Sequence, residues 1–247
     1  MIKLTRFLGV VSLATAAVIG FAAQSLAPPV RAAGTESFEV SGIKAVRPNL
    51  VNTIAALKAG DHAGAKAAFE AYDSAWNGIE VYINTRDKNM YSELEQNYQA
   101  RIAKALDSPD PDKNALLADA QAMLAKYDEV IRAVEKAPPL NPLYDDVARL
   151  RIVRASLREV TPAVKAGNMG KARKSFSAFD GKWDSIEDLI KARSPEAYTD
   201  IEKGMIQIER ALMPDKPDPD QVTALVKGVM DKYNAIVAEI TKEARGR

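Results

Sequence analysis

The chain contains no cysteine and a single histidine, His62. Without cysteine there is no disulfide, no thiolate metal site, no cysteine nucleophile and no covalent c-type haem attachment. One histidine rules out histidine-rich zinc sites, and a Ser-His-Asp triad would have to be built on His62. A non-covalent haem would have only His62 or a methionine as axial ligand, so no haem is expected. Net charge is nearly absent too: 34 basic side chains oppose 33 acidic ones. That balance gives no electrostatic footprint for nucleic acid, whose binders carry a clear basic excess. No motif pairs a nucleophile with an activating base or cradles a cofactor, so the chain is not expected to be an enzyme. Convincing period-2 strand runs are lacking. Beyond the first thirty residues no apolar run is long enough to span a membrane.

What is present begins with an export pattern. Lys3 and Arg6 precede an uncharged stretch from Phe7 to Ala23, and Val30-Arg31-Ala32 places small residues at the −3 and −1 positions of a cleavage site. Residues 1–32 therefore read as a signal peptide, and the mature protein as periplasmic or secreted. The alternative is an uncleaved N-terminal membrane anchor, because residues 7–30 carry no charge; Pro28-Pro29 weakens that span. Cleavage would remove Lys3, Arg6 and Arg31 and no acid, leaving the mature part marginally acidic. Its length suffices to bury a core without disulfides. Residues 33–45 read as a linker.

The remainder is one unit written twice. Leu57-Lys-Ala-Gly-Asp-His-Ala-Gly-Ala-Lys-Ala-Ala-Phe69 returns as Val164-Lys-Ala-Gly-Asn-Met-Gly-Lys-Ala-Arg-Lys-Ser-Phe176, a displacement of 107 residues. The register holds without a gap to Glu95 and Glu202. It matches Gly60 with Gly167, Phe69 with Phe176, Trp76 with Trp183, and Tyr91 with Tyr198. Both tryptophans of the protein are in this set. Beyond it the register drifts by one: Ala105-Leu106 matches Ala211-Leu212, Pro109-Asp-Pro-Asp112 matches Pro217-Asp-Pro-Asp220, and Lys126-Tyr127 matches Lys232-Tyr233. Self-similarity of this kind marks a repeated structural unit.

Each copy reads as four helices, over 46–59, 61–86, 89–106 and 112–136, then 143–166, 168–192, 195–212 and 218–244. Ala65, Phe69, Tyr72, Trp76, Ile79 and Ile83 recur at three- and four-residue steps, which is one helical face. Gly60 and Gly167 sit where a helix end favours a left-handed residue, and Asp61 and Asn168 follow as N-caps. Ser194-Pro195, Asp110-Pro111 and Asp218-Pro219 are helix starts. Pro162 should interrupt the fifth helix. Pro138-Pro139 to Pro142 marks the boundary between units. Short connections favour antiparallel neighbours, so the expected fold is all-α, two tandem four-helix up-and-down bundles over 46–138 and 139–247. The paired aromatic residues are expected in the cores.

Four charged positions also recur: Asp73, Glu80, Arg86 and Glu95 return as Asp180, Glu187, Arg193 and Glu202. A solvated face gives no reason to hold charges in register across diverged copies. Glu80 and Glu95 lie at equal distances on either side of the turn near Asp87-Lys88, so they can face one another at one height of an antiparallel hairpin. Glu187 and Glu202 do the same about Ser194-Pro195. Asp73 is seven residues before Glu80, on the same helical face. Two facing carboxylates repel unless a proton, a base or a cation lies between them. One solution is neutralisation by Arg86 and Arg193 as structural ion pairs. Another is a cation held by oxygen ligands, which suits iron, manganese, calcium or magnesium. A third is that these acids are exposed and idle. Glu-x-x-His motifs of the di-iron bundles are absent, which argues against oxidase chemistry. The second copy is the more acidic, with Asp180, Asp184, Glu187, Asp188, Glu196, Asp200 and Glu202; Asn77 and Val81 stand where it has Asp184 and Asp188. His62, directly after a helix cap, reads as an exposed residue without a role.

Gly60-Asp61, Trp76, Glu80 and Glu95, with Gly167, Trp183, Glu187 and Ile201-Glu202, give an order of motifs that resembles a known family. It is similar to the extracytoplasmic helical domain that precedes the membrane part of some bacterial iron permeases. No membrane region and no Arg-Glu-Gly-Leu-Glu motif accompany it here, so permease chemistry is not implied. The resemblance implies a free-standing relative of the soluble part that passes or senses iron outside the cytoplasm, with a membrane permease or another envelope protein as partner. An interaction module without metal is the competing expectation. The sequence specifies no oligomeric state.

Overall fold

The computed structural model describes residues 36–246, and every regular element among them is helical. The signal peptide expected over residues 1–32 lies outside the described residues. No described helix is long and apolar enough to cross a membrane.

The glycine and cap chemistry operates as expected. Helix α1 (Phe38–Lys58) ends in Gly60 with φ 75°, and the Asp61 amide reaches back to the Ala56 carbonyl at 2.9 Å. Gly167 has φ 71°, and the Asn168 amide reaches Ala163 at 2.9 Å. These paired bonds satisfy helix-end carbonyls that only a left-handed residue brings within reach. Asp61 then caps α2 (His62–Asn84), and Asn168 caps α8 (Met169–Trp183), through side-chain oxygens.

The first half continues with α3 (Lys88–Ser92), a π-helical segment (Glu93–Gln99), α4 (Ala100–Leu106) and α5 (Lys113–Lys136). Helix α1 packs on α2 and α5, α2 on α3 and α4, and the π segment and α4 on α5. The second half comprises α6 (Leu143–Arg158), α7 (Val160–Lys165), α8, α9 (Glu187–Arg193), α10 (Pro195–Leu212) and α11 (Pro219–Gly246). There α6 and α7 pack on α8 and α11, and α10 packs on α8, α9 and α11. An extensive α2–α6 contact joins the halves, and the described residues form one compact unit. Gly78 makes that approach possible: a Cβ there would overlap Ile152 and sit 3.1 Å from the Ala148 carbonyl oxygen.

The cores repeat as the paired aromatics predict. Trp76 stacks on Tyr91 at 6.2 Å, and Trp183 on Tyr198 at 6.3 Å. Tyr127 donates to the Ile43 carbonyl at 2.8 Å, and Tyr233 to the Leu150 carbonyl at 2.7 Å. Tyr72 and Phe179 occupy equivalent buried places, but the Tyr72 hydroxyl has no partner among the described residues. Its sister position manages without a hydroxyl. Tyr72→Phe is therefore expected to raise stability by about 1 kcal/mol, since a buried hydroxyl without a bond is a cost. Chemical denaturation checks this, and a loss of stability would contradict it.

Several local expectations need correction. Helix α1 begins at Phe38, inside the segment read as a linker, and carries Pro48 in its interior. Burial of Val40, Ile43 and Val46 outweighs the missing amide of the proline. The cap of α5 is Asp112, whose oxygen accepts from the Asn114 and Ala115 amides, and not Asp110; the helix itself starts within one residue of the expected 112. The helix expected over 168–192 breaks at Asp184-Ser185-Ile186. There Ser185 Oγ donates to the Lys182 carbonyl at 2.6 Å, and Arg149 takes the Ser185 carbonyl at 2.6 Å. Both bonds compete with helical pairing. Pro162 does interrupt its helix, at Glu159.

The π-helical segment explains the drift in register. Within Glu93–Gln99 a wider turn takes up one residue more than an α-turn. The corresponding stretch of α10 is regular. The displacement between copies is 107 at Glu95 and Glu202 but one less at Leu106 and Leu212, so the wide turn absorbs the extra residue of the first copy.

Candidate functional site

In both halves the recurring tryptophan holds a recurring acid. Trp76 Nε1–H donates to Glu95, and Trp183 Nε1–H donates to Glu202. Each tryptophan is almost fully buried, so its indole fixes the height and direction of one carboxylate. Sequence pairing places these residues in register; the hydrogen bond between them is an addition from the structure.

The arginines act elsewhere than expected. Arg86 does not neutralise Glu80 or Glu95. It donates to Glu39 at 2.8 Å and to the Pro138 carbonyl at 2.9 Å. Arg193 pairs with Glu243 of α11. Arg86 lies in the turn that follows α2, beyond the helix that carries Glu80, and from there it reaches Glu39 and the Pro138 carbonyl. Both arginines are structural ion pairs, with other partners than the recurring acids.

In the first half Asp73, Glu80 and Glu95 line one cleft of about 960 Å³ between the halves, joined by Trp76, Tyr91 and Gln99. Glu80 takes a hydrogen bond from Arg151 of α6 at 2.8 Å. Asp73 takes one from Gln99, which the π segment turns inward. Asp73 keeps an exposed edge at the cleft mouth, yet the walls around it make its surroundings less polar than water. Burial raises all three carboxyl pKa values above the ordinary range. The Gln99 bond offsets part of this at Asp73, Arg151 at Glu80 and the Trp76 bond at Glu95. The charge of Glu95 adds to the rise at Glu80, as facing carboxylates require.

The sign of the resulting pH dependence follows directly. A carboxyl whose folded pKa exceeds its unfolded value, about 4.3 for Glu, loses its proton first in the unfolded chain. Stability falls as pH rises between those two values. Glu95→Gln keeps an oxygen for Trp76 and removes the charge. It is expected to raise the melting temperature more at pH 7 than at pH 4; an equal gain at both, or a loss at pH 7, would contradict this reading.

In the second half Asp180, Asp184, Glu187 and Glu202 line a hollow of about 390 Å³ together with Glu209, and no basic side chain among the described residues lines it. Glu187 accepts from the Tyr198 hydroxyl at 3.4 Å. Asp180 and Asp184 are exposed, and Asp184 closes the end of α8. Although these acids share a hollow, no three acidic or histidine side chains among the described residues are gathered into a metal cage.

His62 has a role after all. Its Nε2 lies 2.9 Å from the Leu106 carbonyl, tying α2 to the end of α4. Arg173 makes the equivalent tie, its Nε donating to the Leu212 carbonyl at 2.8 Å. Sequence pairing missed this because the two bases stand at different positions of their helices. It missed Arg151 for a second reason: the α2–α6 contact occurs once, between copies, so comparison of copies carries no trace of it. Gln99 escaped because it falls where the register slips. Compared with family models, curated proteins and solved structures, the chain matches none.

Proposed function

We propose that the protein is an exported, non-catalytic binding protein built from a duplicated four-helix unit, and that its second half takes up a hard cation such as iron as cargo. The observation that carries this reading is the hollow shared by Asp180, Asp184, Glu187 and Glu202, which no basic side chain among the described residues lines. Oxygen-only ligands suit hard cations. With no gathered cage present, the ion would be held with part of its water shell, which fits a protein that must pass its cargo on. The motif order supports the same reading through its resemblance to the soluble domain of bacterial iron permeases, and a membrane permease is the partner it implies. The first half has moved away from this use, because Arg151 occupies Glu80.

A metal-free interaction module is the second reading. It is favoured by the ion pairs Arg86–Glu39 and Arg193–Glu243, which join helices without leaving an open site. Equilibrium dialysis with ferrous and ferric iron separates the two. The first reading expects saturable binding that Glu187→Gln with Glu202→Gln abolishes and that Glu80→Gln with Glu95→Gln leaves intact. Absence of saturable binding, together with marked destabilisation by Arg193→Ala, would support the second.

A further inference from the structure

Helix α6 carries a second concentration of charge on the side facing α11. Arg151 and Arg154 meet Lys242 and Arg245 around a hollow of about 380 Å³, which Asn234 and Thr241 also line. No acidic side chain among the described residues lines it. Arg151 reaches away to Glu80 through Nη1, and Arg154 Nη1 donates to Asn234 Oδ1 at 2.7 Å. The Nε–H groups of both guanidiniums are nevertheless buried and have no acceptor among the described residues. A buried donor on a charged group left without a partner is among the costlier arrangements a protein keeps. Like charges gathered round one hollow repel as well. Burial, with Arg151 and Arg158 alongside, holds the Arg154 pKa below the ordinary guanidinium value. Asn234 turns its oxygen to Arg154, which leaves its NH₂ as a further donor.

We propose that this hollow is a binding site for a compact multivalent oxyanion, either free phosphate or a small polycarboxylate. Planar guanidiniums fit both, because paired N–H groups match two oxygens of a phosphate or carboxylate. Lys242 and Arg245 add point charges at the rim. The site lies on other side chains than the acidic hollow of the second half, so the two proposals stand or fall separately.

Titration calorimetry of the protein at low ionic strength tests it, with inorganic phosphate, citrate, chloride and vesicles of phosphatidylglycerol as probes. The expected result is saturable binding of phosphate or citrate at one per chain. Chloride at matched ionic strength should give none. Lys242 and Arg245 are exposed and their removal relieves repulsion, so Lys242→Gln with Arg245→Gln should not lower the melting temperature of the free protein. The same variant should weaken phosphate or citrate binding by about tenfold or more. Four results would overturn the proposal: no saturable binding of either anion, an equal response to chloride, undiminished binding by the variant, or binding of the vesicles alone.

Discussion

Arg86→Ala is expected to lower the unfolding free energy by about 3–5 kcal/mol, because removing one partner of a buried pair strands the other charge. The stranded group is Glu39, which is 1 % exposed. Glu39 Oε1 accepts from Arg86 at 2.8 Å and from the Leu140 amide at 3.0 Å. The pair thus ties the start of α1, the end of α2 and the segment between the halves to one another. Burial alone would push the Glu39 carboxyl up, but the amides of Glu39 and Leu140 together with Arg86 outweigh it, and the pKa lies below the ordinary value. A depressed carboxyl contributes stability at pH values above its unfolded pKa, and that contribution is lost as pH falls through the folded value. Arg86→Ala should therefore also flatten the acid side of the stability profile. Arg86→Met combined with Glu39→Leu should recover most of the loss, since a buried pair exchanged for apolar groups is often neutral. Urea denaturation of the three proteins decides it. A loss below about 1 kcal/mol for Arg86→Ala would show that the pair is effectively solvated.

Trp76→Ala should be comparably severe, at about 3–5 kcal/mol, the range for deleting a large buried aromatic side chain. Trp76 is 1 % exposed and stacks on both Tyr72 and Tyr91. Its loss also removes the donor that holds Glu95. Trp76→Phe separates the two contributions. It keeps most of the apolar volume and removes the N–H, so it should cost only about 1–3 kcal/mol. Equal losses for the two variants would mean that the hydrogen bond, rather than packing, dominates. A negligible loss for Trp76→Ala would contradict the core assignment itself.

The all-α class and most helix ends were legible because helix boundaries here are written in local chemistry. Gly60 and Gly167 need φ values that other residues resist, and Asp61, Asn168 and Ser194 offer oxygens to free amides. Such signals act within a few residues and survive in a single sequence. The start of α1 was hidden because its burial comes from distant partners: Phe38 packs edge-on against Tyr82 at 5.5 Å, and Tyr127 bonds Ile43. The break at Ser185 was hidden because one serine hydroxyl and one arginine from α6 decide it. At the candidate sites, equal distance from a turn correctly placed Glu80 with Glu95 along one cleft and Glu187 with Glu202 along one hollow. What neutralises Glu80 was not legible. Arg151 arrives from the other half, and only the way α2 packs on α6 brings it near.

Terbium luminescence in a Trp76→Phe background tests the central claim most directly. Terbium is a hard trivalent cation that takes oxygen ligands, and Trp183, the one tryptophan left, donates to Glu202 at the proposed site. Excitation of Trp183 should sensitise terbium emission that saturates, that iron displaces, and that Glu187→Gln with Glu202→Gln removes. Emission that is absent, or that persists unchanged in that triple variant, would contradict a cation site in the second half.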